Sequence, residues 1–267
     1  MAYATNGDVA IRYEVEGGSG GAAGEAIVLC GDVGLGAWQF GWQHGALAGP
    51  RPVITPELRG IGRSDAPPGP YTVEELADDL DAVLRAEGVR SAHVVGYGLG
   101  GMVALAYGER SGRPDSLAVV GTPASGDDYA AERVWADPND ADAVRASTAG
   151  LLSPEFVRER PDVVDRIVDW RVAEDATPAT FAAQRDAVYG FDRADRLYEL
   201  TTPTLVVHGR ADAVCPVTAG ESLAAGLPRG EFHAVEGASH LVGVEASAAI
   251  NDALAGWLAE HGDDPFA

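Results

Sequence analysis

Residues 91–111, SAHVVGYGLGGMVALAYGERS, constrain the fold of this chain more than any other stretch. His93, Val94 and Val95 read as a short buried strand, and Gly96, Gly98, Gly100 and Gly101 mark a tight turn. Residues 102–109 continue as an apolar helix. A strand feeding a helix through so abrupt a turn belongs to an α/β architecture, in which parallel strands are joined by helices. The residue at the apex of the turn, Gly98, carries no side chain.

The rest of the chain repeats that alternation. Val9, Ile11, Tyr13 and Val15 alternate as a half-buried strand after a turn at Asn6, Gly7 and Asp8, and residues 17–24 read as a flexible hairpin loop. Residues 26–30, 53–55, 117–121, 204–208 and 231–236 are short apolar runs of the kind expected for strands buried on both faces. Helical patterns lie between them, at 38–47, 73–87, 218–226 and 246–260, with Thr72 and Glu75 spaced as a capping box before the second. From about residue 123 to 196 the pattern changes to short helices broken by Pro138, Pro154, Pro161 and Pro178. The expected fold is therefore α/β: a mostly parallel, doubly wound sheet in residues 1–123 plus 197–267, with residues 124–196 inserted as a helical cap.

Composition narrows the chemistry. All 19 basic residues are arginine, which removes lysine Schiff bases, pyridoxal phosphate attachment and lysine-dependent phosphate loops. A net charge of −22 works against nucleic acid and anionic membrane surfaces as partners. No run has the apolar length of a membrane span, and no signal-peptide pattern is visible. Cys30 and Cys215 make no disulfide framework and suit a reducing, cytoplasmic setting. No His or Cys spacing suits a metal, no cofactor is expected, and the expected partner is an apolar small molecule.

Four separated motifs fall in an order that resembles the α/β-hydrolase superfamily. CGDVG (30–34) takes the place of the family's oxyanion loop, with Cys30 where histidine usually stands. ELRGIGRSDAP (57–67) is similar to the segment that follows in the family, with Glu57 for its usual aspartate. GYGLG (96–100) has the form of the nucleophile elbow, a strained strand-to-helix turn. HGRADAVCP (208–216) and EGASHL (236–241) resemble the loops that supply the triad acid and histidine. The segment at 181–193, FAAQRDAVYGFDR, is similar to the cap exit of enol-lactonase-like and polyketide-tailoring esterase members.

The resemblance implies roles for individual residues. Asp212 is the orienting acid and His240 the base, because a carboxylate on one ring nitrogen fixes the tautomer and stabilises the imidazolium. The backbone N–H groups of Leu99 and Asp32 form the oxyanion hole. The nucleophile position is vacant, because Gly98 cannot attack a carbonyl or carry an acyl group. Asp32 puts a carboxylate into a pocket meant for negative charge. Either desolvation raises its pKa and makes it a neutral donor or general acid, or it is a loop aspartate bonded to its own backbone. Cys30, Val33, Tyr97, Trp135, Trp170 and Tyr189 are the candidates for lining the substrate pocket.

Three functions compete on this reading. The favoured one is a non-hydrolytic enzyme of lyase or cyclase type. In it the His240/Asp212 dyad and the N–H hole serve cyclisation, carbon–carbon bond formation or elimination on an apolar, polyketide-like intermediate. The second is a hydrolase of an ester, lactone or epoxide by His-activated water, or a serine hydrolase whose serine has been exchanged for glycine. The third is a non-catalytic small-molecule binder on the same scaffold.

Overall fold

The computed structural model describes residues 2–18 and 25–262, so most of the hairpin loop expected at 17–24 lies outside the described residues. Strands β1 (Ala2–Asn6), β2 (Val9–Glu16), β3 (Glu25–Cys30), β4 (Val53–Pro56), β5 (Ser91–Tyr97), β6 (Pro114–Val120), β7 (Thr204–Gly209) and β8 (Gly230–Val235) form one sheet. Among the described residues its order is β1-β2-β4-β3-β5-β6-β7-β8. The pairs from β4 across to β8 are parallel, and β1 and β2 close one edge as an antiparallel hairpin. No apolar alternation marks β1 in the sequence; its backbone pairing with β2, residue for residue from Ala2 opposite Tyr13, makes it a strand.

The order places the chemistry. From β3 the chain adds β4 on one side, then crosses to add β5 on the other. Such a reversal opens a crevice at the carboxyl ends of the two strands, where an open α/β sheet binds its ligands. Asp32 follows β3 and Gly98 follows β5, so residues far apart in sequence meet there.

Among the described residues the sheet is accompanied by eleven α-helices: α1 (His44–Leu47), α2 (Val73–Ala86), α3 (Leu99–Arg110), α4 (Ala131–Val134), α5 (Ala141–Gly150), α6 (Pro154–Glu159), α7 (Pro161–Glu174), α8 (Pro178–Gly190), α9 (Val217–Gly226), α10 (Val242–Glu245) and α11 (Ser247–His261). α3 is apolar all round because it is covered all round: it packs on β3, β5, β6 and α2, and Leu99 to Tyr107 are all buried. α2 is amphipathic, and its capping box forms as the sequence predicts, with Thr72 N–H donating to Glu75 and Glu75 N–H to Thr72 Oγ1. The helix expected over 38–47 is instead a 3-10 turn at Ala37–Phe40 followed by α1. Gly41 interrupts it, and Gln43 turns inward to donate to Gly243 O at 2.8 Å.

Between β6 and β7 lie α4 to α8. Three of the prolines expected to break helices in fact open them: Pro154, Pro161 and Pro178 are each the first residue of a helix, where the missing N–H has no intrahelical partner anyway. The two ends of this segment run side by side, with Gly126 N–H donating to Phe191 O at 2.8 Å and Arg193 N–H to Ala124 O at 2.9 Å. No helix among the described residues is long and apolar enough to cross a membrane.

Candidate active site

Four strand ends converge at the crevice. β3 delivers Asp32, β5 delivers Gly98 and the first N–H of α3, β7 delivers Asp212, and β8 delivers His240. Gly98 has the left-handed backbone of a strained elbow (φ 48°, ψ −110°), a conformation that glycine adopts without a Cβ penalty. Its position is not empty. A Cβ on Gly98 would collide with Asp32 Oδ1 and with the Tyr129 hydroxyl, so another strand's side chain fills the space a serine would take. A serine at this position would require the ends of both side chains to move aside.

The Asp32 carboxylate is completely buried and faces donors on every side. Oδ1 accepts from Leu99 N–H at 2.9 Å, Val33 N–H at 2.6 Å and Tyr129 Oη at 2.8 Å. Oδ2 accepts from Tyr129 Oη at 2.6 Å and lies 3.0 Å from His240 Nε2. Asp32 does bond its own loop through Val33, yet three of its partners come from other elements. The Leu99 and Val33 N–H groups, the Tyr129 hydroxyl and the His240 ring thus all address this one carboxyl group. The second hole donor also differs from expectation. Asp32 N–H is turned away to Gln39 Oε1 at 3.0 Å, and the N–H that converges with that of Leu99, on Asp32 Oδ1, is Val33's.

His240 lies between two carboxylates. Nδ1 is 2.8 Å from Asp212 Oδ2, and Nε2 faces Asp32. Burial alone would disfavour the charged ring. Asp212, through its charge and its hydrogen bond, and Asp32 after it more than offset this and raise the His240 pKa to about 10. Burial likewise works against the Asp212 carboxylate, but His240 and the Cys215 N–H hold its pKa below the ordinary value. Its Oδ1 accepts from Val214 N–H at 2.8 Å and Cys215 N–H at 3.0 Å, which aims Oδ2 at the ring. Burial, then the adjacent Asp32, push the Tyr129 phenol far above its usual range, so it stays a donor. At neutral pH His240 is thus an imidazolium, with Asp212 on one ring nitrogen and Asp32 on the other.

Side chains from distant elements pin the loop that carries Asp32. Gln184 Oε1 on α8 accepts from Gly34 N–H at 2.8 Å, and Asp175 Oδ1 accepts from Gly36 N–H and Trp38 Nε1, both at 2.9 Å. Asp175 is itself paired at 2.8 Å with Arg171, which is wholly buried and also donates to Thr148 Oγ1 and Val134 O. The helices between β6 and β7 are thus tied through Asp175 by charge-assisted bonds to the loop that carries Asp32.

The sequence candidates fall in different places. Asp32, Val33, Gly98, Leu99, Asp212 and His240 are brought together. Tyr97 sits beneath, its hydroxyl donating to His240 O at 2.5 Å, and so supports the histidine's backbone. Cys30 is buried in the sheet, where desolvation lifts its thiol to about 12 and leaves it inert as a nucleophile. Trp135 stacks on Phe181 at 4.4 Å, against Gly34 of the loop. Trp170 lines a separate surface cleft of about 820 Å³ with Trp38, His44 and Glu174, and Tyr189 stands at the surface against Glu132. Sequence reasoning misses Tyr129, a lone tyrosine with no motif around it. It also misses the meeting of Glu25, His93 and Asp115 from three strands, within 4.8 Å of one another at the sheet's other end. There Arg51 Nε already lies 2.7 Å from Glu25 Oε1, so the cluster carries its own cation.

The sequence profile of the Alpha/beta hydrolase family matches residues 27–253. A putative carbamate hydrolase RutD of Azorhizobium caulinodans is 30% identical over 270 residues, covering 97% of this chain and 99% of that protein. The 3-oxoadipate enol-lactonase 1 of Acinetobacter baylyi is 30% identical over 229 residues, covering 82% of this chain and 83% of its own. A crystallised hydrolase from Pseudomonas aeruginosa PA01 superposes with a TM-score of 0.81 at 28% identity, covering 96% of this chain and 97% of the other. Relatives with hydrolytic names over nearly the whole length overturn the expectation of lyase or cyclase chemistry on a polyketide-like intermediate. By profile, by relatives and by the eight-stranded sheet with its elbow, this chain belongs to the α/β-hydrolase family.

Proposed function

We propose that the protein is a hydrolase of a small ester, lactone or carbamate, in which the His240–Asp212 pair activates the attacking water. One observation carries this reading. His240 is buried with Asp212 on Nδ1, and its Nε2 faces the Asp32 carboxyl beside Gly98, on which two backbone N–H groups converge. Protonated at neutral pH, the ring can give a proton to a leaving oxygen and, once neutral, take one from the attacking water, and the N–H pair that meets on Asp32 Oδ1 can stabilise an oxygen gaining negative charge. The carbamate hydrolase and enol-lactonase names of the relatives support a carbonyl substrate.

Residues 124–196 act as the cap in this proposal. Trp135 and Phe181 cover the oxyanion loop with aromatic surface, which favours an apolar acyl group, and the stack has to part to admit it. Both cysteines are buried free thiols, in keeping with a reducing compartment, and we assign the protein to the cytoplasm. The test is hydrolysis of a panel of aryl esters, enol lactones and carbamates by the native protein and by His240→Ala. The expected result is a loss of at least about 100-fold in kcat/KM for the variant. Full turnover without the imidazole refutes the reading.

A further inference from the structure

The Asp32 carboxylate does more than border the site. It occupies the place of the missing elbow side chain, since any Cβ on Gly98 would run into it. Its two oxygens are held differently. Oδ1 receives both backbone N–H groups, from Leu99 and Val33, which is how such a pair stabilises an oxygen gaining negative charge. Oδ2 receives neither; it faces His240 Nε2 at 3.0 Å and the Tyr129 hydroxyl at 2.6 Å. A nucleophile paired with the group that manages its protons shows this relation. The bland alternative, a loop aspartate that satisfies its own backbone, accounts for the bond to Val33 alone and leaves the other three donors unexplained.

Resting on the hydrolase reading above, we propose that Asp32 Oδ2 is the covalent nucleophile of this enzyme, standing in for the serine that Gly98 lacks. In the first step Oδ2 forms a bond to the carbonyl carbon of an ester. The bond to the leaving oxygen breaks, and that oxygen departs as an alcohol with the proton of His240 Nε2. The acyl group is left on Asp32 as a mixed anhydride, and the imidazole is neutral. Water then gives a proton to His240 Nε2 while its oxygen adds to Cγ of Asp32, and the displaced electron pair rests on Oδ1 between the Leu99 and Val33 N–H groups. Collapse breaks the Cγ–Oδ2 bond and releases the substrate's acid as its carboxylate, carrying the former Oδ2. Asp32 keeps the water's oxygen and sheds its remaining proton to solvent. The protonated ring, 3.0 Å from Oδ2, is placed to supply the proton this first step needs.

The same chemistry narrows the substrate. A carboxylate displaces an oxygen leaving group readily only when that group is a weak base itself. Asp32 therefore selects enol and aryl esters, including enol lactones, over simple alkyl esters.

The experiment is a single turnover of para-nitrophenyl acetate with native enzyme in excess in heavy-oxygen water, followed by mass analysis of the released acetate and of the peptide carrying Asp32. The expected result is solvent oxygen in Asp32 and none in the acetate of the first turnover. Asp32→Asn, whose amide keeps the shape and both N–H acceptor bonds, is expected to be folded by thermal melting yet to lose at least about 100-fold in kcat. Label found directly in the acetate, with Asp32 unlabelled, overturns the nucleophile role and leaves the hydrolase reading standing. Retained turnover by a folded Asp32→Asn overturns it equally. If the folded native protein cleaves no member of the ester, lactone and carbamate panel, the hydrolase reading falls and this proposal with it.

Discussion

Replacing Asp32 by asparagine isolates the electrostatic core of the site. His240 rises from 6.5 to about 10 in the folded protein, a gap worth about 5 kcal/mol. Two carboxylates supply it against the opposing effect of burial. The Asp32 oxygen lies 3.0 Å from Nε2, and with the charges spread over ring and carboxylate the effective separation is about 4 Å. At an effective dielectric of about 20, such a pair is worth about 4 kcal/mol, or about three pKa units. Asparagine removes the charge and turns an amide donor toward Nε2, which favours the neutral ring. The His240 midpoint is therefore expected to fall to roughly 7 in Asp32→Asn. Stability follows with a definite sign. Folding raises this pKa, so the histidine's contribution is fully present below about 6.5 and is lost as pH rises through about 10. In Asp32→Asn that loss is complete by roughly pH 8. Imidazole NMR titration, with His240→Ala to assign the resonance, gives the midpoint, and urea unfolding between pH 6 and 10 gives the stability arm. A variant midpoint that stays near 10 refutes the assignment of Asp32 as a charged partner of the ring.

Other changes probe the same construction from its edges. Gly98→Ser forces a Cβ into a left-handed backbone and against Asp32 and Tyr129, so urea unfolding is expected to show a loss of about 3 kcal/mol or more. Adding Asp32→Ala relieves the collision, so the double variant is expected to be more stable than the single, and strict additivity contradicts the packing argument. Tyr129→Phe removes the phenol donor from a buried carboxylate, at a cost of about 1.5–3 kcal/mol in stability, read by thermal melting. Asp175→Ala strands the wholly buried Arg171 and frees the Gly36 N–H, so a loss of about 3–5 kcal/mol is expected in urea unfolding.

Much of the fold is legible because its signals are local. Short apolar runs bounded by glycine turns can hardly be anything but buried strands, and the all-apolar helix after Gly98 has to be covered on every side. β1 escapes because its strand character comes from a partner rather than from its own residues. The helix expected over 38–47 breaks because Gln43 is drawn inward to α10 and α11, a contact 200 residues away in sequence. His240, Asp212 and Leu99 are legible for a related reason. Each sits at a fixed offset from a strand end, and strand ends in this sheet point at one crevice.

What the sequence hides is the content of the space above Gly98. Read along the chain, a glycine at the elbow is a deletion, and Asp32 is an acid in the wrong place. Neither residue says that the two compensate, because the coupling exists only once β3 and β5 lie side by side. The surroundings of Asp32 are hidden for the same reason: its partners, Leu99, Tyr129 and His240, come from three other segments, one of them 97 residues away. Which N–H faces the hole depends on the orientation of a single peptide, and Gln39 sets it by accepting from Asp32 and leaving Val33 to point inward. An elbow without a side chain and a loop with an acidic one are thus one structural solution, in which the side chain arrives from the neighbouring strand and glycine is the residue that leaves it room.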